Sequence, residues 1–247
     1  MRVAVVSDIH SNLPALEAVL EAVEAAGINR LWCLGDMVGY GADPDACSAL
    51  VRERAEVSLV GNHDLAVLGE IDVAAFSATA KAAVEWTRAH AQPETIEFLR
   101  GLRPALEHKG FGLFHASPRD PVWEYVLSIE QAEAGLDAQS ERIGLIGHSH
   151  VALFFTRPEG GPRRSYAHGA QAGDGALLDI AGGAWLLNPG SVGQPRDGDP
   201  RAAWLELDLA ELTACFRRAR YDIAAAAGAI RAAGLPGSLA ERLQVGR

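Results

Sequence analysis

Three times in the first 64 residues a short apolar run gives way at once to a polar cluster. Val3–Val6 runs into Ser7-Asp8-Ile9-His10, Leu31–Leu34 into Gly35-Asp36, and Val57–Val60 into Gly61-Asn62-His63-Asp64. Between the first two runs, Leu13, Leu16, Val19, Leu20 and Val23 recur at helical spacing. Ser11 or Asn12 is placed to cap that helix, Pro14 suits its first turn, and Gly27 marks its end. Asp43-Pro44 opens a second helix through about Arg54. Alternating buried strands and helices predict a parallel sheet with covering helices. In such sheets ligands bind beyond the carboxyl ends of the strands, where all three clusters fall.

Further helices are predicted over Val73–His90 and Glu94–Leu102, with Trp86 and Phe98 as core anchors. From Phe111 onward the pattern changes to short strands, near Gly112–His115, Ile143–Ile146, Ala152–Thr156, Ala176–Ile180, Ala184–Leu187, Ala203–Asp208 and Thr213–Arg218. A second, largely antiparallel sheet is the economical account of that half. Gly160-Gly161-Pro162-Arg163-Arg164 and Pro195–Pro200 read as turn-rich loops. Tyr221–Ala233 reads as a helix, after which the last few residues are expected to fray. With no repeat, linker or boundary visible, the expectation is one domain over 1–247, with about 65–106 a mainly helical insertion.

Composition narrows the function. The 247 residues are 49% hydrophobic and 22% charged, the balance of a globular protein. No apolar run approaches the roughly 18 residues of a membrane span, and the N-terminal apolar stretch is too short for a signal peptide. Cys33, Cys47 and Cys215 lie far apart and are odd in number, which points away from a disulfide framework or a thiolate metal site. A cytoplasmic location is therefore expected. The net charge of −10 argues against duplex nucleic acid as a partner. A phosphate ligand stays open, because bound cations reverse the sign of a cleft.

Five segments carry chemistry: Asp8-x-His10, Gly35-Asp36, Gly61-Asn62-His63-Asp64, His115, and Gly147-His148-Ser149-His150. Each ends or follows a predicted strand, and they contain five of the eight histidines. Singly, Asp-x-His is weak and Gly-Asp is ordinary turn chemistry. His148 and His150 alternate, so on an extended segment both imidazoles point to one side. Together Asp8, His10, Asp36, Asn62, His115, His148 and His150 offer two carboxylates, four imidazoles and an amide oxygen. That is too many for one tetrahedral site, and two metals sharing a carboxylate absorb them. Two ions about 3.5–4 Å apart are the usual device for in-line displacement at phosphorus. Mixed N/O ligation suits divalent Mn, Fe, Co, Ni or Zn, and suits Mg or Ca poorly.

In order and approximate spacing these segments resemble the signature of the calcineurin-like metallophosphoesterases, from Asp8 to about Arg218. The resemblance implies an α/β fold, a four-layer α/β/β/α sandwich of two mixed β-sheets flanked by helices, with a dinuclear metal site at the strand ends. It implies that Asp8, His10 and His150 bind one metal, that Asn62, His115 and His148 bind the other, and that Asp36 bridges them. Manganese is the favoured ion. His63 is implied as the acid or phosphate contact, oriented by Asp64, while metal-bound hydroxide attacks phosphorus.

Gly35–Asp45 and Asn188–Arg196 are similar to the compact prokaryotic phosphodiesterase-like branch. Protein phosphatases of the superfamily place Asp-Arg-Gly where this chain has Gly39-Tyr40-Gly41, which points away from that activity. Arg196 and Arg119 are candidate phosphate contacts, Arg196 for its bidentate fork, and Tyr40 is a candidate pocket residue. Trp123 and Tyr125 are placed to stack on a base or to pack as a lid. The expected function is a phosphodiesterase acting on a small phosphoester, without membrane or duplex nucleic acid as partner. A homo-oligomer is compatible with the sequence, which leaves assembly open. The alternatives are a non-catalytic interaction scaffold on the same fold, a phosphomonoesterase or protein phosphatase, and a nuclease.

Overall fold

The structure, a computed structural model, describes residues 1–159 and 166–247. The loop expected at Gly160–Arg164 lies outside the described residues. In chain order, β1 (Arg2–Val6), α1 (Leu13–Ala25), β2 (Leu31–Cys33), α2 (Pro44–Arg54) and β3 (Ala55–Ser58) follow the alternation read from the sequence. The Asn12 side chain caps α1 by accepting from the Ala15 amide at 3.2 Å. Next come α3 (Asn62–Leu68), a short 3₁₀ turn (Val73–Ala75), α4 (Ala78–His90) and α5 (Pro93–Arg100). Then follow β4 (Ala105–His108), β5 (Phe111–Phe114), α6 (Ile129–Ala138), β6 (Ile143–Leu145), β7 (Ala152–Arg157) and β8 (His168–Gln171). The chain closes with β9 (Leu177–Asp179), β10 (Ala184–Pro189), β11 (Ala202–Asp208), β12 (Thr213–Ala219), α7 (Ile223–Ala232) and α8 (Gly237–Arg242).

The strands form two six-stranded sheets, ordered β3-β2-β1-β11-β12-β9 and β4-β5-β6-β10-β7-β8. Both are mixed. In the first, β1 runs parallel to β2 and β2 to β3, whereas β11, β12 and β9 add antiparallel. In the second, β5, β6 and β10 are mutually parallel, and β4, β7 and β8 add antiparallel. The C-terminal half is therefore not one largely antiparallel sheet. Its strands β9, β11 and β12 complete the sheet begun by the N-terminal strands.

Alternation along each central strand builds the layers. Val3 and Val5 of β1 join Leu205 and Leu207 of β11, Leu145 of β6 and Leu187 of β10 in the core between the sheets. Ala4 and Val6 turn the other way and pack with Leu16, Val19 and Leu20 of α1. On the far face of the second sheet, Leu186, Leu153 and Phe155 pack with Ala132 and Leu136 of α6. Helix, sheet, sheet, helix is the result. From Val3 to Val6 both faces of β1 are buried, which is why that run is apolar at every position.

Several elements escaped the sequence pattern. Helix α6 carries a capping box: the Gln131 amide donates to Ser128 Oγ at 3.2 Å, and the Ser128 amide donates to Gln131 Oε1 at 3.1 Å. Edge strands β4 and β8 lack an apolar stripe to announce them, and β8 is exposed at every residue. Trp86 and Phe98 are half-buried rather than core anchors; Val84 and Leu99 fill the buried positions of their helices. The C-terminus does not fray. Leu235, Leu239 and Leu243, four residues apart, seat α8 against Ala80, Ala83 and Tyr40.

Candidate metal centre

Six strands run in parallel sets, β1–β3 in one sheet and β5, β6 and β10 in the other, and each leads straight into a loop or helix start of the site. The backbone there is unusual. Asp8, His10, Ser11, Asp36, Tyr40, His148 and His150 all have φ between 50° and 64°. For non-glycine residues that conformation costs about 1–2 kcal/mol each, and it persists only where surroundings over-determine it. Here they do. The amides of Asp8, His10 and Ser11 donate to the carbonyls of Gly35, Asp36 and Met37 at 2.9–3.0 Å. Asp64 accepts from the amides of Met37, Val38 and Gly61. Ser191 Oγ donates to the Asp8 carbonyl at 2.7 Å, and Asn188 Nδ2 to the Gly147 carbonyl at 2.8 Å.

These loops gather the predicted residues into two groups. Asp8, His10 and His150 each offer one atom within 4.8 Å of the others, and so do Asp36, His115 and His148. Asp36 Oδ2 lies 3.6 Å from His10 Nε2 and 3.5 Å from His115 Nε2, which sets it between the groups. Its Oδ1 accepts from the His63 amide at 2.8 Å, tying the carboxylate to the start of α3. Asn62 Oδ1 is 3.2 Å from His115 Nε2. Gly61 is required here: a Cβ would stand 2.1 Å from Asp36 Oδ1.

The donor set fits cations. His10, His115 and His150 direct Nδ1 at the carbonyls of Val38, Leu34 and Gln194, at 3.0, 3.0 and 2.7 Å. A proton on each Nδ1 leaves a lone pair on each Nε2, facing inward. His10 Nε2 and His150 Nε2 are 3.1 Å apart. Asp8 Oδ1, Asp36 Oδ2 and His148 Nε2 are buried without a hydrogen-bond partner among the described residues. Buried polar atoms are rarely left so, and each of these three is a potential metal ligand.

Electrostatics say the same. Burial pushes the Asp8 carboxyl up to about 7. Burial and the neighbouring Asp64 push Asp36 well above the usual carboxylate range. Burial, then nearby cationic groups, hold His10, His148 and His150 well below the ordinary imidazole value. A bound cation inverts the first preference and reinforces the second, stabilising charged carboxylates beside neutral imidazoles. Cys33, pushed by burial to about 12, supplies no thiolate.

His63 stands at the edge of the group on α3. Its ring centroid is 4.3 Å from Tyr40, 4.8 Å from His10 and 4.9 Å from Phe76. Gly39, at φ +87°, makes room for it, since a Cβ there would meet His63 Nδ1 at 2.6 Å. Burial and the Arg196 charge keep the imidazole neutral at pH 7. The expectation that Asp64 orients His63 is corrected: both Asp64 oxygens accept from backbone amides, and His63 Nδ1 has no hydrogen-bond partner. Aromatic packing, not a carboxylate, sets the ring.

A pocket of about 380 Å³ opens over Asn62, His63 and His148. Tyr40 and Arg196 line it; Arg119 does not, and its guanidinium instead pairs with Glu124. Trp123 and Tyr125 are also in the wall, the Tyr125 ring stacked on His148 at 4.1 Å. Sequence reasoning missed Phe76, Gln194 and Arg242. Gln194 follows Ser191-Val192-Gly193 in a segment that could be read from its turn chemistry. Arg242 carried no local signal, because only the docking of α8 brings it to the pocket.

The family model for the calcineurin-like phosphoesterase superfamily domain matches residues 1–210. The uncharacterized protein MJ0912 of Methanocaldococcus jannaschii is 37% identical over 250 residues, 99% of this chain and 98% of that protein. The crystal structure of a metallophosphoesterase from Sphaerobacter thermophilus superposes with a TM-score of 0.88 at 38% identity, over 100% of this chain and 99% of that one. A hypothetical protein from Pyrococcus horikoshii, PH1004, shares the fold at 21% identity, with a TM-score of 0.79 and coverage of 100% and 98%. Among the described residues no helix is long and apolar enough to cross a membrane. With its two Asp/His groups at the ends of two mixed sheets, this chain belongs to the calcineurin-like phosphoesterase superfamily.

Proposed function

We propose that the protein is a dinuclear metal-dependent phosphoester hydrolase that cleaves phosphodiesters of small substrates. The observation that carries this reading is the convergence of Asp8, His10 and His150 beside Asp36, His115 and His148, with Asp8 Oδ1, Asp36 Oδ2 and His148 Nε2 buried and without a hydrogen-bond partner among the described residues. In the proposed assignment Asp36 serves both groups and Asn62 adds an amide oxygen to the second. Two divalent ions held there, with manganese favoured, would neutralise charge on a phosphoryl group and lower the pKa of water. His63, neutral and facing the pocket, donates a hydrogen bond to a phosphoryl oxygen or to the leaving oxygen, stabilising the charge that develops there. Arg196 supplies positive charge to the same pocket, in place of the pair absent at Gly39-Tyr40-Gly41. The diester preference rests on that absence and on the likeness of the segments Gly35–Asp45 and Asn188–Arg196 to phosphodiesterase-like relatives. Location in the cytoplasm follows the cysteine usage.

The test is metal analysis of the purified protein with assays on bis(p-nitrophenyl) phosphate and p-nitrophenyl phosphate under added manganese. Two ions per chain and faster diester hydrolysis are expected. His63→Ala should keep its metal and lose about a hundredfold or more in kcat. Folded protein that binds no metal and cleaves neither ester overturns the reading in favour of an interaction scaffold.

A further inference from the structure

One wall of the pocket is cationic for a reason the metal centre does not explain. Arg196 Nη2 donates to Gln194 Oε1 at 2.9 Å, and Arg242 Nη1 donates to the same oxygen at 3.2 Å. One neutral amide oxygen thus holds two guanidinium groups side by side. Arg196 also donates to the Tyr40 hydroxyl at 3.4 Å, while its Nε is buried without a partner. Among the described residues neither arginine is in a salt bridge. Elsewhere Arg2, Arg30, Arg54, Arg119, Arg157, Arg201, Arg217 and Arg218 each pair with a carboxylate, and Arg142, half-buried without one, spends its donors on the carbonyls of Ile180 and Gly183. In a chain of net charge −10, where acids are plentiful, two adjacent half-buried arginines without one are conspicuous. Their like charges oppose each other: burial and Arg196 together push the Arg242 pKa down. A ligand anion relieves both the repulsion and the unused donors.

The pair is also built from far apart in the chain. Arg196 follows β10, and Arg242 ends α8, beyond the family match at residue 210. Leu239, Ala240 and Leu243 are buried and anchor α8 against Tyr40, which fixes the distance between the two cations. Both line the pocket that reaches Asn62, His63 and His148.

We propose that Arg196 and Arg242, joined through Gln194, form a second anion site that holds a phosphoryl group of the substrate other than the one cleaved. The proposal rests on the hydrolase reading and deepens it. The substrate is then a phosphoester with a second phosphate near the scissile one. Planar guanidinium forks suit such a group because each can make two parallel charge-assisted hydrogen bonds to it. Phe76 and Trp123, whose ring centroids are 5.5 Å apart, give the same pocket an apolar surface for the organic part.

The experiment compares two probes that are not turned over, methylphosphonate and methylenediphosphonate, by calorimetric titration of the manganese-loaded protein. The first presents one anionic group and the second presents two. Arg242→Gln should weaken the diphosphonate about tenfold or more and leave methylphosphonate within about twofold. Arg242→Lys, which keeps the charge and stem but not the fork, should fall between. Arg231→Gln, on exposed α7 surface, should change neither. Metal content and melting temperature, measured on every sample, separate loss of the contact from loss of the ions or the fold. Equal weakening of both probes, or none, in folded Arg242→Gln and Arg242→Lys overturns the site and leaves Arg242 as a tether for α8. Because binding is read without turnover, a protein that discriminates the probes but cleaves no ester supports the anion site while failing the hydrolase reading.

Discussion

Between the sheets, Val3, Val5, Trp32, Leu113, Leu145, Leu187 and Leu205 are fully buried and almost wholly apolar. A few residues further along the same strands, Asp8, Asp36, His115 and His148 are at most 3% exposed. The two regions are equally dry and opposite in consequence. In the first, every side chain gains from leaving water, at about 25 cal/mol per Å² of apolar surface. In the second, carboxylates and imidazoles lose hydration, Asp8, Asp36 and His148 adopt left-handed backbone, and the same three keep atoms that nothing among the described residues satisfies. The lesson is that one region holds the fold, and the other is held by it in a state that a cation completes.

That contrast is sharpest in substitutions. Asp36→Asn should reduce hydrolysis on the order of a thousandfold and lower the metal content, since it removes the carboxylate between the two groups. Yet the metal-free protein should melt no lower, because burial already disfavours the charged carboxylate and Asn keeps the acceptor for the His63 amide. A lower melting temperature for the metal-free variant would show that the centre supports the fold. Leu145→Ala, in the other region, should do the reverse. About 3 kcal/mol of stability is expected to be lost, read from denaturant midpoints, while activity per folded molecule stays within about twofold.

Added ions should bridge the two regions. Manganese at about a hundred times its dissociation constant contributes about 2.7 kcal/mol, a rise of roughly 5–10 °C in melting temperature for a chain of this size. The gain depends on pH with a definite sign. Asp8 must be deprotonated to ligate, and its carboxyl is pushed to about 7. As pH falls through 7 a proton competes for the site, so the ion-induced rise should shrink. A rise that is constant from pH 8 to pH 5.5 would remove Asp8 from the ligand set.

The smallest effect belongs to the surface, where charges are paired and wet. Glu56 is held at about 2, first by Lys109 and then by Arg30. Its folded value lies below its ordinary one. The stabilisation is therefore present above about pH 4.5 and lost as pH falls through 2. Glu56→Gln should cost less than about 1 kcal/mol at neutral pH and nothing at pH 2, measured by urea unfolding at both. A larger cost at pH 2 would contradict the pairing.

How much of this was legible beforehand differs by element. Strands β1, β2, β5, β6, β10, β11 and β12 were readable because both faces of a central strand demand apolar residues. Helix α1 was readable from its stripe and cap. Edge strands β4 and β8 were not, since an edge needs no continuous apolar run. Helix α3 was hidden because Gly61-Asn62-His63-Asp64 reads as a turn, and the same residues open a helix once Asp64 accepts the Gly61 amide. The candidate ligands were visible as polar residues directly after buried strands. The support of His63 was not: it comes from Gly39, Tyr40 and Phe76, none of which neighbours it in sequence.

By itself the sequence determined the alternation of strands and helices and the polar clusters at strand ends, since both are local patterns with a period of two, of 3.6, or of a single turn. Tertiary structure alone decided that β9, β11 and β12 join the N-terminal sheet, that Arg119 turns to Glu124, and that Arg242 reaches the pocket. Those outcomes depend on which faces meet when all the apolar surfaces are buried at once, and no local pattern carries that information.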